Sequence, residues 1–141
     1  MPEILVFTVH TVPVPQPRHT VSRKTGRAFI PSGNPIHQFK ADLKSHVREQ
    51  YSGPVMDGAI TLHCFFLLPR TKGMIWKKKP MPRVKHTKKP DTDNLMKAVK
   101  DALTGILWRD DSQVWYEVGC KEYHSGDESP RVLIHVYEEL L

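Results

Sequence analysis

Two aspartates and a lysine within seven residues form the part of this sequence best suited to catalysis. Asp91 and Asp93 follow directly after Pro90, and Lys97 comes four residues after Asp93. Paired carboxylates supply the hard oxygen ligands that Mg²⁺ and Mn²⁺ prefer, and a nearby lysine supplies a cation for a phosphate. The combination predicts metal-assisted hydrolysis of a phosphate ester.

The residues before this cluster carry the opposite charge. From Arg70 to Pro90 there are nine Lys or Arg residues and no Asp or Glu. Such a segment attracts a polyanion, and the whole chain agrees with this, because its net charge is +6 and its pI is about 9.4. A basic segment beside a carboxylate cluster predicts a metal-dependent nuclease.

Length and composition exclude several other classes. The chain has 141 residues, which favours one domain, and we expect that domain to span residues 1–141. It has no apolar run of about 18 residues that could span a membrane, and its first residues do not read as a signal peptide. Two distant cysteines predict reduced, buried thiols in a cytoplasmic protein, and no zinc-binding spacing is present.

Apolar periodicity predicts four strands and two main helices, in an α+β domain with a mixed sheet. The predicted strands are 4–11, 59–68, 114–123 and 131–137, and the predicted helices are 35–51 and 91–107. Alternating prolines at 13–17 favour an extended backbone. The segment 69–90 is proline-broken and too basic to pack, so we expect a mobile loop there.

The helix predicted at 91–107 presents the candidate catalytic residues on its polar face. Apolar residues recur at helical spacing from Leu95 to Ile106, and Asp93 and Lys97 lie opposite them. Simpler roles for these residues are a surface salt bridge between Asp93 and Lys97, and helix capping by Asp91 and Asp93.

Asp111 is the candidate third carboxylate. It precedes the predicted strand 114–123, with the parity of Gln113 and Glu117, and so faces away from Val114 and Tyr116. It can join Asp91 and Asp93 only if that strand starts near the N-terminus of the helix. We expect this strand to form a hairpin with strand 131–137 through the turn at 125–130.

Two motifs carry a resemblance to a known family. Residues 89–103 (Lys-Pro-Asp-Thr-Asp-Asn-Leu-Met-Lys-Ala-Val-Lys-Asp-Ala-Leu) and residues 108–114 (Trp-Arg-Asp-Asp-Ser-Gln-Val) resemble the signature of the RusA family of Holliday-junction resolvases. Residues 17–18 and 26–31, before the first helix, fit more loosely. The basic segment from Arg70 to Lys89 is longer than in short bacterial members of the family.

The resemblance implies a small α+β fold, a homodimer, and Mg²⁺-dependent cutting of four-way DNA junctions by paired symmetric nicks. Mn²⁺ is a possible substitute, and the setting is a bacterial or phage-infected cytoplasm. Asp91, Asp93 and Asp111 match the metal-binding acids, Lys97 matches the catalytic lysine, and Asp101 matches a further acidic position, which we expect to have a supporting role.

Three basic clusters are candidates for holding the DNA arms. They comprise Arg18, Arg23, Lys24 and Arg27 in one loop, then Lys77, Lys78 and Lys79, and finally Lys88 and Lys89. Trp76 either stacks on bases at the junction or anchors its own loop.

Three alternatives remain open on sequence alone. A nuclease of the P-D…(D/E)-x-K type is disfavoured, because Gly119 stands where that motif needs lysine and Lys121 comes two residues late. A non-catalytic protein that binds branched DNA would use the same basic clusters. An interaction protein would direct its basic loop to an acidic protein partner.

Overall fold

A mixed five-stranded sheet with two helices on one face forms the core of the molecule. The structure is a computed structural model and describes residues 3–139. Its elements are β1 (Leu5–Val9), β2 (Thr20–Val21), β3 (Ala28–Phe29), α1 (Ile36–Gln50), β4 (Ala59–Leu68), β5 (Val84–Lys85), α2 (Thr92–Leu103), β6 (Val114–Tyr123) and β7 (Arg131–Glu139). The predicted α+β fold with two main helices is confirmed, and the four predicted strands are its four long strands.

The predicted hairpin of the last two strands is wrong. The strand order is β1-β7-β4-β6-β5, so β4 lies between β6 and β7, parallel to β6 and antiparallel to β7. The chain crosses the end of β4 after β6, where the His124 amide donates to the Leu68 carbonyl at 3.1 Å. Because β4 is apolar on both faces, it is buried best at the centre of the sheet, with a strand on each side.

The hydrophobic core lies between this sheet and the two helices. From β4, Leu62 and Phe66 are fully buried, and from α1 so are Leu43 and Val47. Helix α2 buries its predicted apolar stripe, which includes Leu95, Ala98, Val99, Ala102 and Leu103. Neither helix within residues 3–139 is long and apolar enough to cross a bilayer.

Helix α2 ends four residues earlier than predicted. It stops at Leu103, and Gly105 follows in the left-handed region with φ +89°. This backbone conformation ends the helix and is favoured only for glycine. Leu107 and Trp108 are nevertheless fully buried, so their apolar character reflects core packing outside the helix.

The basic segment 69–90 is attached to the domain by the buried Arg70. Its guanidinium donates to the carbonyls of Met74, Pro82 and His124 at 2.7, 2.9 and 2.9 Å. Trp76 lies 4.7 Å from the Arg70 guanidinium, which supports the anchoring role for this tryptophan. The expectation that the segment cannot pack is therefore wrong at these points, while its mobility stays a prediction.

The ion pair of Arg83 with Glu128 fastens the same segment to the turn after β6. Arg83 Nε donates to Glu128 Oε1 at 2.9 Å, and the Ser125 amide donates to the same oxygen at 2.9 Å. The hydrogen bond from Arg83, opposed in part by burial, lowers the pKa of Glu128 from 4.5 to about 2. The pair therefore stabilises the fold above pH 4.5, and this stabilisation is lost as the pH falls towards 2.

We predict that replacing Arg83 by glutamine returns the pKa of Glu128 towards 4.5. Carboxylate-detected NMR titration of the glutamate side chains measures this shift. Arg48→Gln, on the exposed side of α1, is the control and leaves Glu128 unchanged. An unaltered Glu128 midpoint in Arg83→Gln would show that the ion pair does not form in solution.

Candidate active site at the start of helix α2

Asp91 and Asp93 are exposed in the first turn of α2. Asp91 is the N-cap residue by backbone position, but its side chain accepts no capping hydrogen bond. Asp93 accepts one bond, from the Asn94 amide at 3.0 Å. The positive end of the helix dipole favours charge on both carboxylates. Capping thus does not account for Asp91, whose oxygens remain available to a ligand.

Lys97 lies one helical turn beyond Asp93, about 6 Å further along the axis. Its side chain is exposed, and among residues 3–139 it forms no ion pair with Asp93 or any other carboxylate. The simpler role as a surface salt bridge is therefore not realised. The ammonium group remains available to a phosphate beside the two aspartates.

A cleft borders this turn and is formed by the proline-rich segment after β1. Its lining residues are Pro15, Gln16, Arg18, Lys89, Pro90, Asp91 and Asn94. The backbone N–H of Gln16 donates to the backbone carbonyl of Asn94 at 3.0 Å, which fixes the segment against α2. The side-chain oxygen Oε1 of Gln16 is buried and accepts no hydrogen bond from residues 3–139. Gln16 is thus a polar residue of this cleft that was not among the predicted site residues, although it stands between Pro15 and Pro17.

Lys121 fixes the backbone that leads into Asp91. Its Nζ donates to the Pro90 carbonyl at 2.6 Å and also to the Lys88 carbonyl. These bonds hold the start of α2 against β6. Lys121, which lies two residues beyond the lysine position of the P-D…(D/E)-x-K motif, therefore positions the backbone before Asp91. Its spacing in the sequence does not indicate this role.

Strand β6 runs antiparallel to α2 from Glu117 to Lys121. Lys121 contacts the start of the helix, and a Cβ added at Gly119 would lie 2.9 Å from Met96 Sδ. Further along, Lys100 Nζ lies 3.2 Å from a Glu117 carboxylate oxygen. The beginning of β6 consequently lies at the C-terminal end of α2.

This direction separates Asp111 from the other two carboxylates. Helix α2 has 12 residues, and at about 1.5 Å per residue it is about 18 Å long. Asp111 precedes β6 and thus lies near Thr104, while Asp91 and Asp93 lie at the opposite end. Within residues 3–139 no group of three His, Cys, Asp or Glu side chains can hold a metal ion. Strand β6 does not start near the N-terminus of α2, so Asp111 cannot join Asp91 and Asp93 within one chain.

Asp110 and Asp111 differ in their surroundings. Asp110 caps the short 3₁₀ turn Asp111–Gln113, because its Oδ1 accepts from the Ser112 amide at 2.9 Å. That hydrogen bond lowers the pKa of Asp110. Asp110 therefore shapes the turn that precedes β6, and the turn presents the exposed Asp111.

Asp101 has a partner in the other helix. Its carboxylate forms an ion pair with Lys40 of α1 and so joins the two helices. It lies two turns beyond Asp93 on α2. In the structure it ties α1 to α2, and its role as a supporting acid stays a prediction.

The predicted DNA-binding residues are all exposed, and all of them precede α2 in the sequence. Arg23, Lys24 and Arg27 lie at the tip of the β2–β3 ribbon, a short hairpin in place of the predicted loop. Arg18 lines the cleft, and Lys88 and Lys89 directly precede Pro90. Lys77, Lys78 and Lys79 are exposed next to Trp76, with Lys79 Nζ 4.2 Å from its ring centre.

Comparison with known proteins identifies the family of this chain. The profile of the family described as Endodeoxyribonuclease RusA matches residues 10–137. The chain is also 28% identical to a Bacillus subtilis (strain 168) protein named "Uncharacterized protein YqaN", over 96% of this chain and 97% of that protein. Because the family match spans nearly the whole chain, from the end of β1 into β7, this protein belongs to the RusA family of endodeoxyribonucleases.

Proposed function

We propose that this protein resolves four-way DNA junctions by paired, symmetric nicks, in a Mg²⁺-dependent reaction that requires a homodimer. The observation that carries the proposal is the first turn of α2. Two exposed carboxylates, Asp91 and Asp93, lie beside Lys97, which pairs with no carboxylate of residues 3–139, and basic residues flank them on both sides. Membership of an endodeoxyribonuclease family supports DNA as the substrate.

The donor atoms at this turn suit Mg²⁺, with Mn²⁺ as a substitute. Asp91 and Asp93 offer hard carboxylate oxygens, and we assign Asp111 as the third ligand. Bound there, the ion supplies a Lewis acid that activates water and neutralises charge on the phosphate. Two carboxylates from one chain form an incomplete set, since Asp111 lies at the far end of α2.

A second copy of the chain completes the set. We assign Asp111 of one copy to the Asp91–Asp93 pair of the other, so that a two-fold dimer contains two equal sites. A four-way junction has nearly the same two-fold symmetry, and the two sites then face opposed strands. Paired nicks follow from this symmetry.

The remaining side chains position the phosphate and the elements around it. Lys97 neutralises the charge that develops on the scissile phosphate. Gln16 holds the segment that lines the cleft against α2 through its backbone N–H. Lys121 keeps the backbone before Asp91 in place. The products are a 5′-phosphate and a 3′-hydroxyl, and the setting is recombination in a bacterial cell or during phage growth.

The P-D…(D/E)-x-K alternative is further disfavoured by the contacts of its two key residues. Glu117 is paired with Lys100, and Lys121 is bonded to backbone carbonyls. Neither faces an open site with Asp91. The alternative of a non-catalytic protein that binds branched DNA is separated from our proposal by the first experiment below.

We predict that Asp91→Asn lowers the rate of junction cutting at least about a hundredfold, because a charged ligand is lost at the reacting phosphate. A synthetic four-way junction is incubated with and without Mg²⁺ at equal DNA occupancy, and binding is measured with EDTA present. Binding is retained in the variant. Asp127→Asn, in the exposed turn after β6, is the control and cuts at the wild-type rate.

Two results would contradict this prediction. A wild-type protein that binds the junction but cuts it in neither Mg²⁺ nor Mn²⁺ would favour the non-catalytic reading. Cutting by Asp91→Asn at the wild-type rate would show that the catalytic site does not lie at the start of α2.

A second prediction concerns mixtures of inactive variants. Asp91→Asn mixed with Asp111→Asn forms heterodimers in which one site has both substitutions and the other has none. The mixture therefore regains about a quarter of the wild-type nicking, since about half of the dimers are mixed and each has one intact site. The cuts are single nicks, counted on a junction with each strand labelled.

The matched control is a mixture of Asp91→Asn with Asp93→Asn. Both residues come from the same helix of one copy, so every site in this mixture has a substitution and cutting stays lost. If the Asp91→Asn and Asp111→Asn mixture stays inactive after proven subunit exchange, the shared site is wrong.

A third prediction concerns the lysines beside Trp76. Replacing Lys77, Lys78 and Lys79 by glutamine removes up to three phosphate contacts. The slope of log Kd against the logarithm of the salt concentration therefore falls by up to about 2.7. Fluorescence anisotropy of labelled junction at several salt concentrations measures the slope. Cutting at saturating DNA is unchanged, and Arg48→Gln on α1 leaves the slope as in the wild type. An unchanged slope in the triple variant would exclude these lysines from the DNA interface.

A further inference from the structure

One face of the sheet has no helix against it within residues 3–139, and we call it the open face. Helices α1 and α2 both pack on the other face, which carries Leu62 and Phe66 of β4. Because side chains alternate along a strand, His63 and Phe65 lie on the open face. The strand registers add Tyr116, Val118 and Cys120 of β6, and Leu133, His135 and Tyr137 of β7.

Aromatic and imidazole rings lie close together on this open face. The ring centres of His63 and Tyr116 are 6.1 Å apart, and those of Tyr116 and Trp115 are 5.6 Å apart. His135 stands directly opposite His63 in the β4–β7 register. Trp115 and Tyr116 are 59% and 48% exposed. Single exposed apolar side chains are common on protein surfaces, whereas a contiguous exposed group indicates an interaction site.

A cavity of about 220 Å³ adjoins these rings in the middle of the open face. Phe65, Val118 and Leu133 give it apolar walls, and His63, His135 and Arg83 add nitrogen atoms that can donate hydrogen bonds. The volume is below the range of about 300 Å³ or more that drug-sized ligands occupy. The cavity therefore suits a single flat ring system with polar edges.

Arg83 places a positive charge beside this cavity. Its guanidinium lies 5.5 Å from the centre of the Phe65 ring. Glu128 accepts from its Nε and Nη2, which leaves Nη1 for another acceptor. A phosphate group is the acceptor that a guanidinium binds best besides a carboxylate. Rings for stacking beside a cation for a phosphate are the features that recognise a nucleotide.

We propose that the open face binds unpaired bases of the DNA, with one base in the cavity and its neighbours stacked on Tyr116 and Trp115. Bases that are not paired stack on Phe, Tyr, Trp and His rings in many nucleic-acid-binding proteins. Every base has a π-face, so this binding is independent of sequence. The inference deepens the proposed function and rests on it, because it adds unpaired nucleotides to the branched substrate.

The rings lie next to a residue of the proposed catalytic site. Asp111, which we assign as the third metal ligand, begins the 3₁₀ turn that leads directly into β6, and Trp115 and Tyr116 follow at the start of that strand. An unpaired segment that is held on these rings therefore lies close to the phosphate that is cut. The open face thus favours DNA with unpaired nucleotides beside the branch over a continuous duplex.

A second copy of the chain does not fit as the occupant of this face. The proposed function requires Asp111 of one copy to lie beside Asp91 of the other. Two copies packed through their open faces would have their α2 helices on the outer sides of two sheets, about 10 Å apart. The first copy's own sheet would then lie between its Asp91 and Asp111 of the second copy.

We expect Tyr116→Leu to weaken the binding of a labelled oligothymidylate of about 12 nucleotides at least about fivefold, because leucine keeps apolar area but has no ring for a base. Fluorescence anisotropy with EDTA present measures Kd, so that neither metal nor cutting contributes. Tyr116→Phe is the matched control and binds like the wild type. Binding of a fully paired duplex is unchanged in both variants, since a duplex has no unpaired base to stack.

His63→Leu is the second test variant, and the same loss of single-strand binding is expected for it. Its side chain is exposed, so it keeps the test valid if Tyr116→Leu folds poorly. Single-strand binding that is equal in the wild type, Tyr116→Leu and His63→Leu would overturn the proposed site. A loss in Tyr116→Phe as large as in Tyr116→Leu would also overturn it, because the hydroxyl and not the ring would then be required.

Duplex binding, light scattering and junction cutting are measured on the same samples. An equal loss of duplex and single-strand binding would contradict the recognition of unpaired bases. A smaller oligomer in Tyr116→Leu than in the wild type would overturn the proposal in favour of a second copy on this face.

The proposed function and this inference can fail separately. A wild-type protein that cuts four-way junctions, and whose single-strand binding does not depend on Tyr116 or His63, would overturn the open-face site and leave the function standing. A protein that binds single strands through both residues but cuts no branched DNA would support the site and contradict the function.

Discussion

The packing of β6 against α2 is the constraint on which the rest of the molecule depends. Three contacts fix it: Lys121 with the Pro90 carbonyl, Gly119 with Met96, and Glu117 with Lys100. Gly119 permits this close approach, since a Cβ there would lie 2.9 Å from Met96 Sδ and the methionine side chain would have to shift. Because the contacts follow one another in order, they set the direction of β6 as well as its distance from the helix.

That direction determines which charged groups can act together. Asp91, Asp93 and Lys97 share one end of α2 with the cleft and with the lysines before Pro90. Of the three contacts, only that of Lys121 with the Pro90 carbonyl lies at this N-terminal end of α2. Asp111 is held at the other end by the 3₁₀ turn that Asp110 caps. A local hydrogen-bond pattern at each end of one strand thus divides the acidic residues into two groups.

Local sequence patterns predicted the two main helices and the four long strands and placed Asp91 and Asp93 at the start of α2, but they did not predict β2, β3 and β5 or the early end of α2. The stripe from Leu95 to Leu103 fixes a helix face, and the predicted bounds of β6 match the structure. Strand order was not predictable, since the alternation in β6 and β7 is equally compatible with a hairpin and with β4 between them. The anchoring of Arg70 was hidden as well, because nothing local distinguishes a lysine or arginine that meets three carbonyls from its solvated neighbours.

The position of Asp111 follows from strand order and so could not be read from sequence, but it has a functional consequence. If the shared site is correct, a single copy has two carboxylates per site and binds Mg²⁺ weakly, because affinity rises with the number of charged ligands. Cutting then depends on the dimer, and each bound dimer brings two sites to the DNA together. An enzyme that must nick two strands of one junction gains from this dependence, since an isolated copy that nicked duplex DNA would leave breaks that no second cut resolves.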